Sequence, residues 1–595
     1  MIKLSDYVAK RLTEHGVKDV FMISGGGAMH LNDAVGKCKG LKYFCNHHEQ
    51  ASAIGAEGYS RVSDRLGVAV VTTGPGGTNT LTGVIGQWLD SVPALYISGQ
   101  VKFSTTTASC PKVGLRQLGD QEINIVDIVK PVTKFAQMLT DPYQVKYVLD
   151  KAIHLATTGR PGPVWIDIPL NVQAARIDER KLPVFKPEPA RKPKDLKSKA
   201  AKAVAMLRAA RRPVIIAGHG IRIAGAQAGF EKLAAKLKIP VLATFGGFDL
   251  MPNSSPWFAG RIGTIGTRGG NFSLQNADLV ISLGSRNNVR QVSYDWANYA
   301  HRAKKIVVDI DPAELAKPTV KPDLPVSADV GDFMAAMLAA LPEGSAGDFT
   351  GWLAWCRERN RRYPVVLEEY KKLKSKVSPY HFIETLTAAL KPATPVVAGN
   401  GSACVCLFQA GIVNKGQRIF WNSGCASMGY DLPAAIGACV GSGGKETVCL
   451  AGDGSIMMNL QELATVAHYK LPLKIFVLNN DGYVSIRQTQ ENFFQGRYVA
   501  CDSRSGVGFP DFVSVGRSFG LKTEVIDSVK TMKAKIKRVL SAKGPVLCDV
   551  RLPAGHKFMP KLSSEKRPDG SMVSKPLEDM WPFLDRQEFQ NNMIG

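Results

Sequence analysis

The chain has 595 residues, 45% of them hydrophobic and 21% charged, the balance of a globular protein with several cores. Its net charge of +24 raises nucleic acid as a partner, but the lysines are spread over linkers and helix faces without a nucleic-acid module, so a solvated basic surface is expected. No apolar run is long enough to span a bilayer, and eleven scattered cysteines without zinc-like pairs read as reduced, mostly buried thiols.

The opening "MIKLSDYVAKRLTEHGVKDV" predicts an amphipathic helix with Leu4, Val8 and Leu12 on one face. It lacks the apolar core and cleavage site of a signal peptide, which makes the cytosol the expected address. Short apolar runs ("VAVVTTG", "PALYISG") then alternate with helical lengths, as in a buried parallel sheet. This first block is expected over 1–175, before the Pro-rich, charged seam "DERKLPVFKPEPARKPKD". A second block, 190–342, carries "RPVIIAGHG", "KIPVLATFGG", "ADLVISLGS" and "KKIVVDIDP" on the rhythm of a Rossmann-like sheet and fades at "LPEGSAGDFTG". The third, 375–553, repeats the rhythm with "TPVVAGNGS", "GQRIFWNSG", "ETVCLAGDG", "LKIFVLNND" and "PVLCDVRLP". A tail, 554–595, has little sheet character and is expected to pack over another domain or subunit. The predicted fold class is therefore α/β, with three doubly wound parallel-sheet domains.

Two strand ends stand out. Gly452-Asp453-Gly454 follows one apolar strand, and Asn479-Asn480 follows the next, with a helical connection, Asn459 to Tyr469, between them. A right-handed crossover makes these strands parallel and brings both loops to one sheet edge, where ligands of open α/β sheets bind. Either motif alone is an ordinary βα turn. Together they place a carboxylate, a carboxamide and a backbone carbonyl where hard oxygen ligands suit Mg²⁺ and, through it, a diphosphate.

This pair resembles the signature of thiamine-diphosphate enzymes, and the resemblance implies Asp453, Asn480 and the Gly482 carbonyl as metal ligands. It extends along the chain before the tail. Gly399, Asn400 and Gly401 of "AGNGS" fall on the second diphosphate loop, with Gly452, Gly454, Ser455 and Tyr483 completing the cradle. In "FCNHHEQASAIGAEGYSR", Glu49 opens a helix, where an acid also favours the helix dipole. His48-Glu49-Gln50 and "TTGPGGTNT" are similar to the pyrimidine-binding domain of acetolactate synthase-like enzymes (the acetohydroxyacid synthase large subunit family). That likeness makes Glu49 the acid that activates the cofactor, a role needing a dry site. It also sets Pro75 and Asn79 against the pyrimidine and Gln100 at the reacting centre. By the same likeness "NSGCASMGYDLPAAIGA" supplies the Ala426 carbonyl and the bulky Met428, for which core packing is the plain alternative.

The resemblance further implies a central domain able to hold FAD, at Arg160, Gly218, Arg286, Arg290 and Asp309. It implies an active site between two subunits, hence a homodimer or homotetramer, and a small-molecule 2-oxo acid substrate, pyruvate first, with no nucleic acid or membrane partner. One departure bears on the ketone acceptor. Ser485 and Thr489 stand where amino-acid-pathway members usually carry Met and Trp, and the wording of "FMISGGGAMHL", "RQLGDQEINIVDIVKPVTKFA" and "PLEDMWPFLDR" resembles a subgroup linked to branched-chain deoxysugars. The expected reaction is therefore carboligation onto a ketone such as a nucleotide-linked keto-sugar. Acetolactate synthesis from two pyruvates, a simple decarboxylase and a flavin-dependent oxidase are the alternatives.

Overall fold

The computed structural model describes residues 1–594 except 190–192, 344–345 and 568. The position where the second block was expected to begin, and part of the seam at "LPEGSAGDFTG", thus lie outside the described residues. Three six-stranded sheets, parallel throughout, organise the rest. The first comprises Asp19–Met22, Lys42–Cys45, Gly67–Val71, Ala94–Gln100, Phe135–Met138 and Pro163–Pro169 (β1 to β6). The second comprises Pro213–Ala217, Val241–Ala243, Phe258–Arg261, Leu279–Leu283, Lys304–Asp309 and Leu324–Ser327 (β7 to β12). The third comprises Val396–Ala398, Ile419–Phe420, Thr447–Gly452, Leu473–Asn479, Lys522–Ile526 and Val546–Arg551 (β13 to β18).

The central sheet runs β9-β8-β7-β10-β11-β12, the Rossmann order. The outer two share a different order with each other, β2-β1-β3-β4-β6-β5 and β14-β13-β15-β16-β18-β17. Each order reverses direction next to its first strand, and there a crevice opens beyond the carboxyl ends.

The outer sheets are joined by two helices in unusually close contact, Glu49–Ser63 and Asp431–Gly441. A Cβ on Gly437 would stand 1.9 Å from the Gly55 carbonyl oxygen, and one on Gly58 would stand 2.1 Å from that of Ala434. Only glycine permits this approach, and one apolar core runs through both blocks as a result. The approach also carries the start of the Glu49 helix toward the third sheet. Asn46 Nδ2 and the His47 N–H both donate to Glu462, each at 2.9 Å.

The tail packs in cis over the central block. The Asn271 side chain on helix Arg268–Gln275 donates to the Leu577 carbonyl at 2.9 Å, and Asn276 donates to that of Asn592 at 2.9 Å. Leu577 and Met580 are buried, and the tail also forms a short hairpin, Ser564–Lys566 with Met572–Ser574. Among the described residues no helix is long and apolar enough to cross a membrane.

Candidate cofactor site

The two marked strand ends meet as expected. β15 and β16 pair with Gly452 opposite Leu478, so Asp453 and Asn480 leave the sheet side by side. The Asp453 carboxylate accepts from three backbone N–H groups: Gly454 at 2.7 Å, Asn480 at 2.9 Å and Gly482 at 3.0 Å. Burial nevertheless pushes its pKa up to about 6, against the pull of those donors and of Arg487. The Asn480 carboxamide Nδ2 donates to the Gly482 carbonyl, and its Oδ1 lies 3.4 Å from Ser402 Oγ. Turning that carboxamide over would set two oxygens side by side next to a buried carboxylate, an all-oxygen donor set that a hard divalent cation satisfies. The residues fit Mg²⁺ in kind. The connecting segment differs from the expected single helix: short turns over Asp453–Asn459 precede a helix confined to Glu462–His468.

Glycines shape the cradle. Gly482 sits at φ 128°, where an added Cβ would be 2.1 Å from the Cys501 carbonyl oxygen. The Tyr483 ring covers Gly454 so closely that a Cβ there would be 2.0 Å from Cε1. Gly399 follows β13, its N–H donating to Leu450 of β15 at 2.8 Å, so the Gly399-Asn400-Gly401 loop borders the same crevice as Gly452 and Ser455. Gly401 has a positive φ of 81° and open space around its missing Cβ.

Asp431, which the sequence reading passed over, lies beneath both loops. Its Oδ2 accepts from Ser455 Oγ at 2.5 Å and stands 2.1 Å from where a Gly399 Cβ would be. Ser455 Oγ in turn accepts from the Gly429 N–H at 2.9 Å, tying in the Ala426–Met428 segment. Ala426 holds a left-handed φ of 54°, and Met428 is half-buried.

On the first sheet, Glu49 is the first residue of its helix, behind a His48 cap whose Nδ1 accepts from the Gln50 N–H. Asn79 Nδ2 donates to Glu49 Oε2 at 2.9 Å. Pro75 begins the short helix Pro75–Thr78, and both Pro75 and Asn79 are exposed in the single chain, with Glu49 half-buried. Gln50 Oε1 accepts from Asn459, which also donates to the Gly429 carbonyl, so the Glu49 region and the Met428 loop are linked within the chain.

Gln100 is buried with its amide fully occupied. Its Oε1 accepts from Thr73 and Val101, and its Nε2 donates to Ile123 and to Asp167 at 3.1 Å. Burial pushes the Asp167 pKa up to about 7, against hydrogen bonds from Ser98 and Gln100. The folded chain therefore holds this proton more tightly than the unfolded one, and the associated stability is full below pH about 4 and lost as pH rises through about 7. Replacing Asp167 by Asn is expected to flatten that slope, read as unfolding midpoints of both proteins across this range.

Three of the five flavin candidates line one cavity of about 400 Å³, and the other two lie beside it. It opens at the reversal point of the central sheet, where β7 and β10 give way to Gly218 and Gly284; a Cβ on Gly218 would be 2.2 Å from the Gly284 carbonyl oxygen. Arg160, Arg286 and Asp309 line it, and Arg290 stacks on Phe245 of its wall at 5.1 Å. Arg160 is engaged with Asp311 and Glu314 at 2.8 and 2.9 Å. Two buried polar atoms of the lining, His219 Nδ1 and Trp421 Nε1, have no hydrogen-bond partner among the described residues.

The three sheets correspond to three domains of known proteins. Residues 2–128, 200–337 and 399–550 match, in order, the N-terminal TPP binding, central and C-terminal TPP binding domains of thiamine pyrophosphate enzymes. Three such domains in series define a thiamine-diphosphate-dependent enzyme. The acetolactate synthase large subunit of Cyanidium caldarium is 32% identical over 572 residues, 93% of this chain and 94% of its own. Isozyme 1 of Escherichia coli K12 is 31% identical over 557 residues, covering 93% and 95%, and a probable large subunit of Methanocaldococcus jannaschii is 32% identical over 565, covering 92% of each. The chain belongs to the acetolactate synthase large subunit family.

Proposed function

We propose that this enzyme removes CO₂ from a 2-oxo acid, pyruvate first, and joins the remaining acetyl unit to the carbonyl carbon of a ketone acceptor. One proton is consumed and a tertiary alcohol bearing the acetyl group results. The observation that carries this reading is the pairing of a turn in which the buried Asp453 carboxylate gathers the Asn480 and Gly482 N–H groups with the acid Glu49 on a second sheet edge. When bound, thiamine diphosphate supplies an electron sink for the decarboxylation. The chain supplies the rest. Asp453, Asn480 and Gly482 would hold Mg²⁺, and the Gly399–Gly401 and Gly452–Ser455 loops would receive the diphosphate. Glu49, its Oε2 held by Asn79, would supply the carboxyl proton to the pyrimidine side of the cleft, which Pro75, Ala426 and Met428 would shape.

A half-exposed Glu49 is too wet for that task in a lone chain. Exposed apolar residues occur near both halves of the site: Val113, Leu115 and Leu118 after β4, and Met457, Met458 and Phe494 beside the metal turn. We assign them to contact with a second copy, making a homodimer the smallest active unit. FAD in the central cavity is the flavin reading. The sheet-reversal position and the unpartnered His219 and Trp421 atoms support it, with the flavin as a structural element.

Ser485 and Thr489 lie exposed on helix Val484–Phe493, and these two small polar side chains favour an acceptor larger than pyruvate, a nucleotide-linked keto-sugar. The names of the relatives favour the second reading, in which pyruvate itself is the acceptor. Mass analysis of products from labelled pyruvate, Mg²⁺ and thiamine diphosphate, with and without a panel of keto-sugars, separates them. A sugar that gains a labelled two-carbon unit supports the first, and acetolactate alone supports the second. Release of aldehyde, or oxygen uptake without a new carbon–carbon bond, rejects both.

A further inference from the structure

Arg487 stands seven residues after Asn480 on helix Val484–Phe493 and is buried, 7% exposed. A buried guanidinium ordinarily pairs with a carboxylate, because an uncompensated charge is costly to desolvate. Among the described residues none does so here. Nη2 donates to the Asn480 carbonyl at 2.8 Å and Nη1 to the Asp481 carbonyl at 3.1 Å. The fork thus grips two consecutive peptide groups of the turn assigned to the metal.

That turn needs gripping. Asp481 has φ 56° and Gly482 φ 128°, two successive residues in the positive region, the first of them not a glycine. Such a conformation is unfavourable for a non-glycine residue and persists only where its surroundings impose it. With the Asn480 and Asp481 carbonyls turned toward Arg487, the Gly482 carbonyl faces the Asn480 side chain and its N–H faces Asp453. The alternation sets which oxygens are left for a cation.

We propose that Arg487 is a positioning residue for the metal turn: its planar fork holds the Asn480 and Asp481 carbonyls away, so that Gly482 and the Asn480 carboxamide present their oxygens beside Asp453. The inference rests on the metal reading given above and deepens it. Lysine retains the charge but cannot span both carbonyls in one plane, so it restores the function only in part.

The test is direct binding of Mn²⁺, followed by electron paramagnetic resonance, to the full-length protein with thiamine diphosphate present and absent. Arg487→Met is expected to weaken diphosphate-dependent Mn²⁺ binding by about 10- to 100-fold, the usual range for a partner that orients metal ligands. Arg487→Lys is expected to fall between wild type and Arg487→Met, and it carries the test if the methionine variant does not fold. A role confined to packing would lower the unfolding midpoint of the metal-free protein and leave Mn²⁺ affinity unchanged, and unchanged affinity in both variants overturns the inference. A wild-type protein with no diphosphate-dependent Mn²⁺ site removes the metal reading itself, and the inference with it.

Discussion

Replacing Glu49 by Gln lowers turnover of the 2-oxo acid by about 10²- to 10⁴-fold, the range expected when a positioned acid–base group is removed, and leaves the fold intact. The substitution keeps the length and volume of the side chain. A glutamine carbonyl still accepts the Asn79 hydrogen bond now made to Oε2 at 2.9 Å, and the His48 cap does not involve the Glu49 side chain. What disappears is the exchangeable carboxyl proton. Steady-state turnover of pyruvate measures the loss, with circular dichroism and unfolding midpoints alongside. Full turnover in Glu49→Gln contradicts the assignment of this acid.

The second large effect is expected at Asp453. Its carboxylate organises the turn by accepting from Gly454, Asn480 and Gly482, and it is the charged member of the oxygen set. Asp453→Asn preserves shape and one acceptor oxygen but removes the charge and turns an N–H₂ toward backbone donors. Loss of a partner that only orients a metal ligand costs about 10- to 100-fold in metal affinity, and loss of the charged ligand itself is expected to exceed that. Turnover should fall by more than about 100-fold at millimolar Mg²⁺. A variant that binds metal normally but is inactive places Asp453 outside the ligand set.

Much of the architecture was legible because the central strands of parallel sheets are buried on both faces and read as continuous apolar runs. Gly67–Val71, Leu279–Leu283 and Leu473–Asn479 announce themselves in this way. The strands Phe135–Met138, Phe258–Arg261, Leu324–Ser327 and Lys522–Ile526 did not, and each lies at a sheet edge. There one side lacks a partner strand, and "KTEVI" or "LPVS" carries charge or proline without conflict. The meeting of the two strand-end motifs was legible because glycine and asparagine at consecutive strand ends are constrained by backbone geometry.

Asp431, Ser402 and Arg487 were less so. Asp431 acts through Ser455 and against Gly399, 24 and 32 residues away along the chain but in contact across the sheet reversal. Arg487 looks, in sequence, like a solvated helix arginine. Its burial follows from which face of helix Val484–Phe493 turns inward, and the exposed Ser485 and Thr489 on the other face could not settle that alone. The tail was expected to pack over another domain or subunit; that it packs on Asn271 and Asn276 of its own chain was not legible, because the contacts run largely through backbone carbonyls of the tail.

Cofactor binding through a divalent metal at the Asp453–Gly482 turn is the central step of the proposed function. Calorimetric titration of thiamine diphosphate into metal-depleted protein, repeated with Mg²⁺ present, tests it most directly. The predicted result is saturable binding near one cofactor per chain that requires Mg²⁺ and is abolished in Asp453→Asn. Binding that ignores both the metal and the substitution, or no binding at all with Mg²⁺ in excess, would contradict the account.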